Sequence, residues 1–333
     1  MCPFYTFTPW ENRTKLKKSA SAFSNIMEGT ITKSTGSWYM VRTDDGHIWK
    51  ARTRGKMRLQ GLNTSNPVAV GDRVRFEEDT NYENTASIIE VFPRNNWVVR
   101  KANKLSSKRQ ILASNLDAAV LVASIIAPRT SLGFIDRYLV GCEAYHVPSI
   151  LFLNKADLLG DQFESVKEEI FRIYARAHLQ IYFGSALDPN TINEFKSNTQ
   201  GKRILLSGHS GVGKSTLMNA LYPKFNAKVG AISKQHAKGK HTTTFAEMFT
   251  TADGTQIIDT PGIRDFGVVD IPQEELPHYF PEFRRFMKSC KFSNCTHVHE
   301  PECAVLDQLN EGNIPQERYY SYLSILNNED IFK

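Results

Sequence analysis

The chain has no long apolar run. Its longest uncharged apolar stretch, residues 118–127 (AAVLVASIIA), is half the ~20 residues that a bilayer-spanning helix needs, so no membrane span is expected. The N-terminus MCPFYTFTPW lacks a basic segment followed by an apolar core, so it does not read as a secretory signal, and the protein is expected in the cytoplasm. Cysteine is scarce at five in 333 residues, too few for a disulfide scaffold. Internal repeats and low-complexity tracts are missing as well. With 41% hydrophobic and 23% charged residues, wholesale disorder and fibrous structure are excluded, and the length suits two or three domains.

What is present is unevenly spread. Residues 1–110 carry 19 Lys and Arg against 10 Asp and Glu, a net of +9, while the rest carries 22 against 25, a net of −3. A basic first third on a near-neutral body suggests a polyanion docking there, although a solvated basic surface fits the charge equally well. Residues 1–24 read as a flexible basic leader. Between residues 25 and 100 lie five short segments rich in β-branched and aromatic residues (30–33, 38–43, 47–51, 68–76, 85–92), broken by turn signals such as Asp44-Asp45-Gly46 and Gly71-Asp72. This pattern predicts a small β-barrel. An RNA-binding OB-like barrel leads on charge and an SH3-like one is the alternative, which strand counting does not separate.

A basic connector (100–109) introduces α/β texture. Apolar segments 118–124, 149–153, 180–183, 204–207 and 255–259 alternate with amphipathic helices at 132–146 and 162–177, as in a doubly wound sheet covered on both faces. This domain is expected over residues 101–272, followed by a helical, metal-binding domain at 273–333.

The strongest motif is Gly208-His209-Ser210-Gly211-Val212-Gly213-Lys214-Ser215-Thr216, entered from the strand RILLS and continued in helical register. Glycines let successive N–H groups curl around a phosphate at the positive helix end; Lys214 supplies a point charge to the β- and γ-phosphates, and the Ser215 hydroxyl a Mg²⁺ ligand. Asn154-Lys155-Ala156-Asp157 follows directly on a buried strand. A carboxylate at Asp157 accepts guanine N1–H and N2 amino together, which adenine does not offer; Asn154 contacts the base edge and ties the loop, and the Lys155 stem covers a ring face. Ser185-Ala186 ends the next strand, where a backbone N–H meets guanine O6. Asp259-Thr260-Pro261-Gly262 supplies a carboxylate for Mg²⁺ and the Gly262 N–H for the γ-phosphate. Between these two phosphate elements, 224–244 reads as a mobile Lys-rich loop ending in His241-Thr242-Thr243-Thr244, a threonine of which could complete the Mg²⁺ shell while the γ-phosphate is present. The glutamine that many GTPases carry after the D-x-P-G element is Ile263 here, so water must be oriented from elsewhere; the His241 imidazole is the candidate.

Cys290-x₄-Cys295-x-His297-x₅-Cys303 offers three thiolates and an imidazole within fourteen positions, a donor set suited to a closed tetrahedral Zn²⁺ site; His299 competes with His297 by proximity. Cys2 and Cys142 carry no evident chemistry, and Cys142 is expected to pack in the core. In the barrel Arg52, Arg54, Lys56, Arg58, Arg73 and Arg75 are candidates to neutralise RNA phosphates, with Trp38 or Tyr39 as stacking partners or barrel filling.

The order of these elements, with N-K-x-D and S-A before the phosphate loop, resembles the circularly permuted GTPases. Together with the basic barrel, the Cys/His segment and the stretches Arg54-Gly55-Lys56, Gly71-Asp72-Arg73-Val74 and Asn115-Leu116-Asp117, the chain from about Gly29 onward resembles the ribosome small-subunit-dependent GTPase A family. The resemblance implies an OB-fold, a permuted GTPase domain and a zinc domain that act with GTP and GDP on the 30S subunit and its 16S rRNA late in assembly; a monomer is expected. The resemblance also implies His241 as the catalytic residue, Thr243 as the Mg²⁺ ligand and His297 as the zinc ligand.

Overall fold

The computed structural model describes residues 26–54, 66–79, 82–101, 109–225, 246–259 and 271–329. Its first unit is a closed barrel of β1 (Ile26–Ser34), β2 (Tyr39–Arg42), β3 (Ile48–Thr53), β4 (Arg73–Glu78) and β5 (Thr85–Val91). Strands β1, β2 and β3 form an antiparallel meander, β3 pairs with β5 in parallel, β5 with β4 antiparallel, and β4 returns to β1. That Greek-key closure is the OB-like arrangement and decides between the two small barrels. Alternation drives it: Ile31, Val41, Val74, Phe76 and Ile88 point inward at 0% exposure while their neighbours face out.

Expected strand 68–76 is shorter in fact, because residues 68–72 form a buried turn. The Asp72 carboxylate fixes it by accepting from the Ala69 N–H at 2.8 Å, the Ser114 hydroxyl at 2.5 Å and both the Nε and Nη2 of Arg94 at 2.6 Å. Gly71 is required here, since φ is +96° and a Cβ would lie 2.1 Å from the Ser114 carbonyl oxygen.

The basic connector holds an unexpected hairpin, β6 (Trp97–Lys101) and β7 (Arg109–Ser114). Its Val99 and Ile111 pack on Ala69, and its two short apolar runs, Val98-Val99 and Ile111–Ala113, are separated by Arg and Lys in the sequence.

The α/β unit contains β8 (Ala118–Ser124), α1 (Leu132–Ala144), β9 (Ser149–Asn154), α2 (Phe163–Tyr174), β10 (Gln180–Phe183), α3 (Pro189–Thr199), β11 (Arg203–Ser207), α4 (Lys214–Leu221), β12 (Glu247–Thr250) and β13 (Gln256–Asp259). The sheet runs β10-β9-β8-β11-β13-β12, parallel except for β12. All seven β8 side chains are buried, as an interior parallel strand requires. Cys142 is buried at 0% exposure on α1. Strand β12, four residues long and followed by the Asp253-Gly254 turn, joins the units: Lys33 of β1 lies opposite Glu247, making one sheet from barrel to nucleotide-type domain. Arg203, on β11, reinforces the joint by donating to the Gly71 and Asn115 carbonyl oxygens.

The C-terminal unit packs α5 (Pro281–Arg284), α6 (Ala304–Asn310) and α7 (Gln316–Leu326) around Phe280, Phe283, Val305 and Tyr322. It is bound to α1 by a buried ionic knot. Arg318, 1% exposed, donates to Asp136 at 2.5 Å and to Glu282 at 2.6 Å, and Tyr174 O–H donates to Asp136 at 2.9 Å. Burial pushes the Asp136 carboxyl up, against the pull of Arg318 and its hydrogen bonds. No helix among the described residues is long and apolar enough to cross a membrane.

Candidate nucleotide cleft and metal cluster

Parallel strands bring their C-terminal ends to one edge, where α/β sheets hold ligands. Asn154 ends β9, Ser185-Ala186 follows β10, the glycine-rich loop follows β11 and Asp259 ends β13. One side chain fastens three of these segments. Asn154, 5% exposed, donates from Nδ2 to the Val212 carbonyl oxygen at 2.8 Å, while its Oδ1 accepts the Ala186 N–H at 2.7 Å. The stretches around 154–157 and 208–216 therefore open onto one cleft. Both ends of the Asn154 amide are engaged by protein, which assigns it to tying loops together. The Ala156 N–H donates to the Gly184 carbonyl oxygen at 2.9 Å, and the Gly184 N–H to that of Leu153 at 3.0 Å, holding the two base-side loops in register.

Lys155 adopts φ +66° and its ammonium donates to the Ala127 carbonyl oxygen at 2.5 Å, so its stem crosses the cleft mouth. Asp157 is exposed at that mouth and free of steric cover; Ser185 is buried, its hydroxyl accepting the Leu187 N–H at 3.2 Å. In the glycine-rich loop Gly211 and Gly213 have φ of +84° and +98°, and a Cβ on Gly213 would lie 2.0 Å from the Asn154 amide nitrogen. Gly208 leads in from β11; Ser210 and Ser215 are exposed, Thr216 half-buried, and Val212 fully buried beneath the loop. His209 packs its ring on Phe134 with centroids 3.8 Å apart. Lys214 opens α4 and forms an ion pair with Asp259 across the cleft. That juxtaposition puts an ammonium, a hydroxyl-bearing helix N-terminus and a carboxylate together, the donor set that a phosphate chain and its Mg²⁺ require. His241, Thr243 and Gly262, like leader 1–24 and Lys56 and Arg58, lie outside the described residues.

The sequence reading passed over the loop 125–131. It follows β8 to the same edge, its Ala127 receives Lys155, and its Pro128 lies 3.3 Å from the Cβ position of Gly211. The strand-end rule applied to the apolar run 118–124 would have found it.

In the C-terminal unit one ligating atom each from Cys290, Cys295, His297 and Cys303 lies within 4.8 Å of all the others. His297 turns Nδ1 inward, 3.3 Å from Cys303 Sγ and 3.6 Å from Cys290 Sγ, and the Cys290 and Cys303 sulfurs are 4.0 Å apart. Four donors at metal–ligand distances of about 2.0–2.3 Å in a tetrahedron have edges of roughly this length, so the residues fit Zn²⁺. His299 is exposed and outside the cluster. Burial pushes the Cys295 thiol up to about 12 and raises that of Cys303, while it holds His297 below the ordinary range and hence neutral. Such thiols become thiolates only beside a cation. Tyr319 and Tyr322 brace the loop, their O–H groups donating to the carbonyl oxygens of His297 at 2.9 Å and Thr296 at 2.5 Å.

On the barrel, Tyr39 is 3% exposed and fills the core, whereas Trp38 is half-buried with the Arg52 guanidinium 3.6 Å and the Lys50 ammonium 4.3 Å from its ring centroid. Arg54, Arg73 and Arg75 each have carboxylate partners within the barrel (Glu77; Asp44 and Glu28; Glu90 and Glu28).

Residues 91–269 match the family model described as RsgA GTPase, and residues 28–86 that of the RsgA N-terminal domain. A protein of Christiangramia forsetii named small ribosomal subunit biogenesis GTPase RsgA is 44% identical over 305 residues, covering 91% of this chain and 97% of its own. Bacteroides thetaiotaomicron has a similar protein, small ribosomal subunit biogenesis GTPase RsgA 2, 44% identical with the same coverage. Among solved structures, YjeQ from Thermotoga maritima superposes with a TM-score of 0.73 at 31% identity, covering 91% of this chain and 98% of its own. YloQ, described as a circularly permuted GTPase, gives 0.69 at 28%, covering 92% and 96%.

Proposed function

The chain belongs to the RsgA GTPase family, and from that premise we propose that it binds the 30S ribosomal subunit through its 16S rRNA and hydrolyses GTP to GDP and phosphate late in subunit maturation, coupled to its own release. The observation that carries this reading is Asn154, whose single amide joins the N-K-A-D segment, the Ser185-Ala186 loop and the phosphate loop around one cleft. A guanine specificity loop and a phosphate loop that shared no cleft would serve no nucleotide.

The residues divide the work. Asp157, at the cleft mouth, accepts the guanine N1–H and N2 amino hydrogens; the Lys155 stem covers the ring; Ser185 and Ala186 bound the base edge. Backbone N–H groups of residues 208–216 cradle the β-phosphate and Lys214 pairs with the β- and γ-phosphates, leaving the Asp259 carboxylate for the metal. Ser215, Thr243 and Asp259 would hold Mg²⁺, which supplies charge neutralisation on the phosphate chain. His241 orients the attacking water by hydrogen bond, since Ile263 has no polar group to do so, and the Gly262 N–H meets the γ-phosphate. Cys290, Cys295, His297 and Cys303 would hold one structural Zn²⁺, which supplies a covalent-like staple for the C-terminal unit. The protein acts as a cytoplasmic monomer.

The test is phosphate release with and without purified 30S subunits, alongside binding of guanine and adenine nucleotides by wild type and Asp157→Asn. Stimulated release, guanine selectivity and its relaxation in the variant are expected. A chain that holds GTP but is not stimulated would instead be a nucleotide-gated RNA-binding zinc protein.

A further inference from the structure

Barrel and GTPase units meet along a groove of about 710 Å³ lined by Trp38, Lys33, Arg42 and Lys50 from the barrel and by Glu247 and Phe249 from β12, among others. Three cations face one carboxylate there. Lys33 pairs with Glu247 at 3.0 Å and Arg42 donates to the Thr250 hydroxyl at 2.8 Å, so both reach across the joint. Lys50 and Arg52 are exposed and stand over the Trp38 ring. In contrast, among the described residues Arg54, Arg73 and Arg75 on the barrel wall are each paired with barrel carboxylates.

We propose that this composite groove, not the barrel wall alone, is a docking site for single-stranded RNA. This rests on the reading of an RNA partner given above and names the surface that meets it. The chemistry selects the occupant. The Arg52 guanidinium stacked on the half-buried Trp38 ring offers a planar, charged platform to an unpaired base and charge to its phosphate, a combination that suits single strands; bases inside a duplex present no free ring face to it. The groove also touches the catalytic unit directly. Glu247 on β12 lies opposite Asp259 on β13, the carboxylate that faces Lys214, so RNA seated against β12 is one strand away from the nucleotide cleft.

Fluorescence anisotropy of the full chain with a labelled twelve-nucleotide single-stranded RNA, the same sequence as duplex, and a salt series tests this. Trp38→Ala is expected to weaken single-strand binding roughly five- to hundred-fold, the range of one lost base stack. Arg42→Gln with Lys50→Gln is expected to lower the slope of log K against log salt by about 1.4, two phosphate contacts at about 0.7 each. Circular dichroism and thermal melting establish that the variants fold, and the double variant removes no core side chain. Wild-type affinity and salt slope in both variants, or equal binding of duplex, overturns the proposal. So does loss of 30S binding with unchanged oligonucleotide binding, which would assign the groove to a ribosomal protein. If wild type itself neither binds nor responds to 30S subunits, the functional reading fails; if wild type responds and the variants respond equally, only the groove does.

Discussion

Replacing Arg318 by methionine keeps most of its volume and removes its charge, leaving Asp136 and Glu282, 0% and 1% exposed, without the cation they share. The native guanidinium supplies three hydrogen bonds, at 2.5, 2.6 and 3.3 Å, to these two carboxylates. Breaking a buried ion pair from one side costs about 3–5 kcal/mol, because the stranded charge keeps its desolvation penalty. Since a tenfold change is about 1.4 kcal/mol, the local opening of α7 should become two to four decades easier, approximately. Native-state hydrogen exchange of α7 amides reads this directly. The sign of the pH dependence is fixed as well. Burial already raises the Asp136 carboxyl above its ordinary value, and removing Arg318 takes away the charge that opposes that rise. Groups raised in the folded state favour the protonated native form, so Arg318→Met recovers stability on acidification from pH 7 to 5 and loses it again as pH rises. Arg318→Met with Asp136→Asn and Glu282→Gln recovers much of the loss at pH 7. A drop in protection below tenfold for the single variant, unchanged between pH 7 and 5, would refute the reasoning.

Other outcomes follow from the cleft and the cluster. His241→Ala is expected to keep GTP binding by equilibrium fluorescence while losing most 30S-stimulated turnover; unchanged turnover removes His241 from the mechanism. Asn154→Ala strands the buried Val212 carbonyl and Ala186 N–H at about 1–3 kcal/mol each, so guanine nucleotide affinity should fall at least tenfold in calorimetry with base and phosphate contacts weakened together. Chelation of metal should increase proteolysis of residues 273–329 while GDP affinity changes less than threefold, and equal loss of both would tie the cluster to the cleft.

Much of this was legible in the sequence for definable reasons. Buried parallel strands such as 118–124 announce themselves as unbroken apolar runs, and the glycine-rich loop, N-K-A-D and the Cys/His spacing are local patterns tied to local chemistry. What stayed hidden depends on contacts between distant segments. Strand β12 has four residues and exists because β1 and β13 lie on either side of it. The β6–β7 hairpin is built from two short apolar runs, Val98-Val99 and Ile111–Ala113, set apart by five basic residues between 100 and 109. Whether Trp38 or Tyr39 filled the barrel depended on the register of β2, and only the fold places Tyr39 inside. The partners of Arg54, Arg73 and Arg75 come from other segments of the barrel, so a count of barrel cations overstates the charge offered to a polyanion.

One sheet continuous from barrel to cleft has a mechanical consequence. With Lys33 registered on Glu247, Asp72 clamped by Arg94 and Ser114, and Arg203 pinning the turn at Gly71, barrel and cleft are braced at several points among the described residues. Such a molecule works as a caliper with a fixed gap: a push on the barrel at Lys33 is passed through β12 to the strand that ends at Asp259.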